Sequence, residues 1–161
     1  MNGFSKMLGL PQVKLGWIVI GGNSGAVEPA RDRLETLLDF YLSVATPIQH
    51  AAGQLLDRRP DIQRQIRDRI IANMQTLEDR TARTEACRRL LREGGWYAVI
   101  EIFDALSDED RILQLLKRNH TLVHPGYFYE FDKEGIVVVS LLTPVEAFRS
   151  GIDRLITTLP S

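Results

Sequence analysis

Apolar residues follow two spacings along the first third of the chain, one typical of a buried strand and one of amphipathic helices. Leu15–Ile20 is an almost continuous apolar run that ends at the glycine-rich segment Gly21–Gly25. This predicts a strand buried on both faces, followed by a turn. From Val27 the apolar residues recur at helical spacing, which predicts a first helix. Pro47 separates it from a second, shorter helix predicted over Ile48–Asp57.

The rest of the chain predicts helices that alternate with short strands. Asp61 fits the N-terminus of a long helix with one narrow apolar stripe. Ser107 and Asp110 have the spacing of a capping box for a further helix, and Thr143-Pro144-Val145-Glu146 predicts the start of the last one. Four runs predict strands: Arg88–Leu91, Trp96–Ile100, Leu122–Val123 and Ile136–Leu141. The order of elements predicts an α/β (α+β-like) fold, with helices packed against a small mixed or antiparallel sheet.

Composition excludes several classes of function. The net charge of −1 gives no electrostatic argument for nucleic-acid or membrane binding. No apolar run approaches the length of a membrane-spanning helix, and the N-terminus has no secretory signal, so we expect a cytoplasmic protein. Cys87, the single cysteine, is interpreted as a small apolar residue. The three histidines, His50, His120 and His124, have no metal-ligand spacing, so no metal site is predicted.

Chemistry is concentrated in residues 4–17, which read FSKMLGLPQVKLGW. Lys6 and Lys14 lie eight positions apart on either side of a loop that contains Gly and Pro. A lysine forms a Schiff base only if its amine is partly neutral, which requires burial or a cationic neighbour. Lys14, with a bound phosphate, could set that environment. Spacing alone nevertheless favours two ordinary surface lysines.

The identity of the neighbouring residues, as well as the lysine spacing, is informative. Ser5-Lys6, followed by Gly9-Leu10-Pro11 and Lys14-Leu15-Gly16-Trp17, resembles the cofactor-lysine segment of fold-type I pyridoxal-phosphate (PLP) aminotransferases. The resemblance implies that Lys6 forms the Schiff base with PLP and later acts as the general base. It also implies that Lys14 holds the PLP phosphate, with Ser5 or Asn2 as a further contact.

The resemblance continues along nearly the whole chain. Tyr41–Gln49 looks like the family segment that approaches the cofactor of a neighbouring subunit, which makes Thr46 and Gln49 weaker candidates for contacts across a dimer. Gly94-Gly95-Trp96-Tyr97 is similar to a strand that lines the substrate pocket, and His124–Phe128 resembles a turn at the site entrance. The substrate-pocket residues that this implies are Gly95, Trp96 and Tyr127.

Two positions depart from the family pattern. Val138 stands where family members usually carry an arginine that grips the substrate α-carboxylate. Either the carboxylate is bound differently or the substrate is not an amino acid of the usual kind. Gly3 stands where a phosphate-binding serine is common.

The resemblance implies the C-terminal part of an aminotransferase that transfers an amino group between an amino acid and a 2-oxo acid. Residues 1–25 would be the cofactor-lysine loop and strand, 26–60 connecting helices, and 61–161 the small domain. The family's other cofactor contacts precede the lysine, so we expect these residues to be inactive alone. They would form a homodimer or associate with a large domain. The alternative is a non-catalytic oligomerisation or partner-binding module of the same descent, for which exposure of Leu15–Ile20 would provide an interface.

Overall fold

The computed structural model describes residues 1–159, which form two compact units. The N-terminal unit is Met1–Gln65, and the C-terminal unit begins at Ile66. A long helix, α4 (Arg59–Thr81), starts in the first unit and ends in the second. The other elements of the N-terminal unit are β1 (Asn2–Gly3), α1 (Phe4–Met7), a 3-10 turn (Pro11–Val13), β2 (Gly16–Trp17), α2 (Ser24–Leu38) and α3 (Thr46–Asp57).

The C-terminal unit is a four-stranded sheet with helices against it. Its elements after α4 are β3 (Cys87–Arg89), β4 (Tyr97–Ile102), α5 (Asp108–Asn119), β5 (His124–Pro125), a 3-10 turn (Gly126–Tyr129), β6 (Ile136–Ser140) and α6 (Val145–Thr157). The strand order is β3-β4-β6-β5, and all three pairings are antiparallel. The predicted α/β fold with a small sheet is confirmed, and the sheet is antiparallel rather than mixed.

The core of the C-terminal unit lies between one face of the sheet and helices α4, α5 and α6. Val137 and Val139 of β6 point into it, and Ile100 pairs with Val137 on the same face. Leu77 of α4 and Leu155 of α6 are fully buried against them. Ile136 and Val138, which point to the other face, are also buried at 0% and 3% exposed, so the continuous apolar run of β6 reflects burial on both of its faces.

Ser107 caps α5 as predicted, but the Asp110 carboxylate binds the Ser107 hydroxyl rather than the Ser107 backbone N–H of a capping box. The Ser107 hydroxyl accepts a hydrogen bond from the Asp110 N–H at 3.1 Å and donates one to the Asp110 carboxylate at 2.8 Å. The helix closes at His120, whose left-handed φ of 50° lets the Thr121 N–H donate to the Leu115 carbonyl.

The prediction of a doubly buried strand over Leu15–Ile20 was wrong. Only Gly16–Trp17 forms a strand, paired with β1, and Val19 is 78% exposed. An apolar run becomes a buried strand only where another surface covers it, and residues 1–65 provide none for Val19. The predicted turn at Gly21–Gly25 is also shorter, because Asn23 caps α2 and the helix begins at Ser24.

Other boundaries also differ from the predictions. Helix α3 begins at Thr46 rather than Ile48, and α4 begins at Arg59, which places Asp61 within its first turn. The strand predicted at Leu122–Val123 begins instead at His124, because the chain is still leaving the cap of α5 at those residues. Thr143 does not cap α6, since its hydroxyl donates to the Ser140 carbonyl at 3.1 Å. Pro144 holds the cap position, and the helix begins at Val145. The predicted domain boundaries at residues 25 and 60 stay predictions.

Candidate active site

Residues 2–17, which we call the lysine loop, are closed by their own backbone. Asn2 pairs with Trp17 and Gly3 with Gly16 in a two-residue antiparallel ladder. The Phe4 N–H donates to the Leu15 carbonyl at 2.9 Å, which extends the closure. The segment between the two strands is therefore held at both ends.

The position of Lys6 follows from the residues around it. Phe4 and Leu8, spaced by one helical turn, are 0% and 2% exposed. The Phe4 ring packs edge-on against Trp17, with 5.9 Å between centroids. Lys6 lies halfway between the two buried residues on the single turn α1, so its side chain leaves on the opposite face and is exposed. Ser5 is half-buried.

Lys14 sits at a conformationally unusual point. It ends the 3-10 turn with a left-handed φ of 56°, a region that non-glycine residues rarely adopt. Its side chain is exposed. The strained backbone turns the chain from the 3-10 turn into β2, so Lys14 lies at a defined corner of the lysine loop.

Gly3 departs from the family pattern for a steric reason. A Cβ atom at this position would lie 2.9 Å from the Leu15 carbonyl oxygen and 3.1 Å from the Gly16 Cα. The two strands of the lysine loop approach too closely for any side chain. A serine could not occupy this position without separating them, so a phosphate contact from this residue is excluded in this backbone.

The chemistry of the lysine loop fits a phosphorylated aldehyde such as PLP. Residues 1–20 contain two lysines and no acidic residue, which gives the segment a positive charge. Lys6 supplies a primary amine, Lys14 a cation for a phosphate, and Ser5 a hydroxyl. These are the donor types that the aldehyde and phosphate of PLP require.

In the C-terminal unit, Val138 occupies the position that the resemblance assigns to an arginine. It lies in the middle of β6, pairs with Val99 on one side and His124 on the other, and is only 3% exposed. The sheet face that carries it is apolar at this point. A substrate carboxylate would find no charged donor in the Val138 side chain.

An aromatic cluster lies on the same face of the sheet. Tyr97 and Tyr129 have ring centroids 5.8 Å apart, and His124 stacks on Tyr129 at 6.0 Å. The Tyr129 hydroxyl and His124 Nδ1 are 2.8 Å apart, so one hydrogen bond joins them. Partial burial, with the neighbouring Tyr97, raises the pKa of Tyr129, so that its hydroxyl stays protonated.

The predicted pocket residues lie around this cluster. Gly95 has a positive φ of 76° in the turn before β4, and the carbonyl of half-buried Trp96 accepts from the Leu141 N–H at 2.8 Å. Tyr127 is half-exposed and meets Phe128 edge-on at 5.1 Å. Tyr97 was named from the sequence within the pocket-like segment Gly94–Tyr97 but was given no role, and Tyr129 was missed. The aromatic content of residues 127–129 was the available signal for Tyr129.

The remaining candidates have structural surroundings. Cys87 is 3% exposed, and burial raises the pKa of its thiol, which disfavours the nucleophilic thiolate. Within residues 1–159 no group of three or more His, Cys, Asp or Glu side chains is arranged to hold a metal ion. No helix in the same range is long and apolar enough to cross a membrane.

Comparison with known proteins decides the family. The model of the family "Aminotransferase class I and II" matches residues 1–149, which is nearly the whole chain. The chain belongs to the aminotransferase class I and II family. Membership implies PLP as the cofactor and agrees with the donor set of the lysine loop. A search of curated proteins gave no significant match.

Solved structures with the same fold are PLP-dependent aminotransferases. A PLP-dependent aminotransferase from Streptococcus suis is similar with a TM-score of 0.79 at 21% identity, over 97% of this chain and 40% of that one. Alanine aminotransferase from Pyrococcus furiosus gives 0.78 at 21% identity, over 98% and 40%. Aspartate aminotransferase from Thermotoga maritima gives 0.72 at 20% identity, over 97% and 38%. The chain thus spans about two fifths of the length of these aminotransferases.

Proposed function

We propose that this chain supplies the cofactor lysine and the C-terminal small domain of an aminotransferase. The enzyme would transfer an amino group between an amino acid and a 2-oxo acid. The observation that carries the proposal is the lysine loop, in which Lys6 and Lys14 lie on a closed segment without acidic residues. The family match over residues 1–149 supports the reaction class. A cytoplasmic location belongs to the same proposal.

Three side chains, Lys6, Lys14 and Ser5, would bind the cofactor, and Lys6 would also transfer a proton. PLP, when bound, supplies an electron sink for charge that develops at the substrate Cα. The Lys6 amine would hold the cofactor and, once displaced by substrate, remove the proton from Cα as a general base. The Lys14 ammonium would bind the phosphate as a point charge. The Ser5 hydroxyl would donate a hydrogen bond to the same group.

The substrate would meet the aromatic side of the sheet. We assign Gly95, Trp96 and Tyr127 to the substrate pocket, as the family resemblance implies. Val138 is buried and uncharged, so a substrate carboxylate has to be bound by another donor. In the assembled enzyme, truncation of Tyr127 would raise KM more than it lowers kcat, because it removes binding rather than proton transfer.

Assembly is a further part of the proposal. Phe40 and Tyr41 are 80% and 74% exposed, and Leu42 is fully exposed. A partner subunit or a large domain that covers these residues would bury the apolar surface that the N-terminal unit leaves open. Thr46 and Gln49 lie close behind in sequence and would belong to the same interface. Residues 1–161 alone would then bind PLP without catalysing turnover.

Borohydride reduction of the chain in the presence of PLP tests the cofactor role. At limiting PLP, we expect the reduced label on the peptide that contains Lys6, and its loss in Lys6→Arg. Lys14→Gln should reduce labelling about tenfold, as the loss of one phosphate ion pair predicts. Lys117→Arg is the matched control, because Lys117 is an exposed lysine in the last turn of α5. Equal labelling of Lys6 and Lys117 would overturn the proposal.

The second candidate is a non-catalytic oligomerisation or partner-binding module. The exposure of Val19, Phe40 and Leu42 favours it, since these residues offer an interface whether or not PLP binds. Sedimentation at micromolar concentration separates the two candidates. A stable oligomer without a Lys6 label supports the module, and a monomer with a Lys6 label supports the aminotransferase.

A further inference from the structure

A cavity of about 420 Å³ lies at the edge of the sheet in the C-terminal unit, outside the lysine loop. It exists because β5 pairs with β6 at only two positions, His124 with Val138 and Pro125 with Val137. Residues 120–123 stand away from the sheet and form one wall of the cavity. Helix α6 forms the other wall. The volume falls within the range of small-molecule sites, ~300–1,000 Å³.

The lining combines an apolar side with polar hydrogen-bonding groups. Val139, Phe148 and Leu155 line its inner side, on the core face of the sheet, and are 6%, 4% and 1% exposed. Hydroxyl groups also line it, from Thr121, Ser140, Thr143 and Ser150. Among the described residues, no Asp or Glu side chain lines the cavity. The surface therefore suits a ligand with an apolar body and hydrogen-bond acceptors, and gives an anion no repelling neighbour.

Arg154 gives the cavity a positive charge. Its Nη1 donates to the Asn119 carbonyl at 3.0 Å, and within residues 1–159 it forms no ion pair with an Asp or Glu. The two carboxylates of the neighbouring recess, which Arg154 also lines, are already paired. Asp153 binds Arg80 at 2.5 Å, and Glu146 binds Arg149 at 3.4 Å. Arg154 thus keeps guanidinium donors available for an anion.

Two imidazoles line the same cavity. His120 and His124 both line it. Nδ1 of His124 already shares a hydrogen bond with the Tyr129 hydroxyl, so only Nε2 of this ring is left to donate to a ligand. His120 is held at the cap of α5 by its left-handed backbone. The Arg154 guanidinium can donate two parallel hydrogen bonds to a carboxylate, and an imidazole N–H can donate one. These donors lie next to the apolar side of the cavity.

We propose that this cavity binds an organic carboxylate with an apolar body. The carboxylate accepts hydrogen bonds from Arg154, and the apolar body lies against the side formed by Val139, Phe148 and Leu155. The cavity shares Tyr97 and His124 with the aromatic cluster but contains no residue of the lysine loop, so it does not rest on the proposed cofactor chemistry. Its failure and the failure of Lys6 labelling are therefore separate results.

The test is a binding titration of the full chain with 3-phenylpropionate, followed by amide chemical shifts and by calorimetry. We expect saturable binding that shifts the amide signals of Ser150 and Gly151. The neutral analogue 3-phenylpropionamide and the small anion acetate should each bind at least about tenfold more weakly, because each lacks one half of the interaction.

Variants on α6 locate the charge that is responsible. Arg154→Gln should weaken binding of 3-phenylpropionate about tenfold or more. Arg149→Gln is the matched control, since Arg149 lies on the same helix but lines only the neighbouring recess, and should change affinity less than about twofold. Equal binding of the acid and the amide, an unaffected Arg154→Gln, or no binding at millimolar concentration would overturn the proposal.

Discussion

The two units of this chain bury their apolar residues to different degrees. Within residues 1–65, Phe4 and Leu8 are the only large hydrophobic side chains that are buried, and α2 and α3 have none. The C-terminal unit instead has one continuous core across β3, β4, β6 and three helices. The C-terminal unit therefore carries its own hydrophobic stabilisation, whereas the N-terminal unit buries few large apolar side chains. Lys6, the proposed cofactor lysine, lies in the unit with the smaller core.

The largest expected difference between the units comes from truncating a leucine in each. Leu77→Ala should destabilise the C-terminal unit by about 3–5 kcal/mol, because Leu77 is fully buried and leaves a cavity. Leu42→Ala is the matched control and should change stability by less than about 0.5 kcal/mol in the monomer, since Leu42 is fully exposed. Urea unfolding with Trp17 and Trp96 as separate probes measures each unit. A comparable loss for Leu42→Ala would mean that the N-terminal unit has a core.

Low pH should lower the free energy of unfolding of the C-terminal unit by protonating Asp104. Arg111 is 4% exposed, and its Nη1 donates to the Asp104 carboxylate at 2.8 Å. This guanidinium holds the pKa of Asp104 below its usual value. The resulting stabilisation is complete above the unfolded pKa of about 3.9 and disappears as the pH falls through the folded value.

Asp104→Asn tests that route directly. We expect a loss of about 2 kcal/mol at pH 7, because a charged hydrogen-bond partner of a buried guanidinium is removed. The variant should also lose less stability than the wild type between pH 5 and 2, measured as urea midpoints with Trp96 as the probe. Asp132→Asn serves as a control, since Asp132 is exposed. A parallel pH dependence in wild type and Asp104→Asn would contradict the prediction.

A smaller effect is expected where the lysine loop closes. Gly3→Ala places a Cβ 2.9 Å from the Leu15 carbonyl oxygen and should destabilise the loop by about 1–3 kcal/mol. Hydrogen exchange at the Phe4 amide, which bonds to that carbonyl, reports the opening. Gly21→Ala is the control, because a Cβ there meets no atom within 4 Å. Unchanged protection of the Phe4 amide in Gly3→Ala would show that the two strands do not need their close approach.

The smallest effect concerns Lys14 and has the opposite sign. Lys14→Gly should stabilise the lysine loop by a few tenths up to about 1 kcal/mol, because glycine adopts a φ of 56° without strain. The same change removes the proposed phosphate ligand, so PLP labelling of Lys6 should fall while Phe4 amide protection rises. Lys14→Asn should keep part of the stabilisation, since Asn tolerates this conformation. A fall in both readouts would assign Lys14 a structural role instead.

Local signals were read correctly from the sequence, and contacts that depend on a distant partner were not. The Ser107–Asp110 cap could be predicted because both groups lie within one helical turn. The run Leu15–Ile20 was assigned to a buried strand, yet its burial depends on a covering surface that no local pattern specifies.

The aromatic cluster shows the same limit within the candidate site. Tyr97 and Tyr129 approach each other because β4 and β5 both pair with β6, in a register that only the folded sheet defines. Lys6 was found through the residues adjacent to it in sequence, and its exposed position follows from Phe4 and Leu8. Arg154 was not singled out from the sequence, because the cavity that it lines is formed by tertiary packing around α6.

The closed backbone around Lys6 lowers the conformational entropy that is lost when a ligand binds to this side chain. Phe4, locked between Leu15 and Trp17, fixes the main chain two residues before the lysine. A ligand that reacts with the amine therefore has to immobilise only the rotamers of one side chain, at a cost of about 2 kcal/mol. Ordering a flexible segment of the same length would add about 1–2 kcal/mol for each residue. Although the N-terminal unit has only a small core, it already restricts the backbone conformation next to Lys6. This would lower the entropy cost of forming a covalent bond to the Lys6 amine.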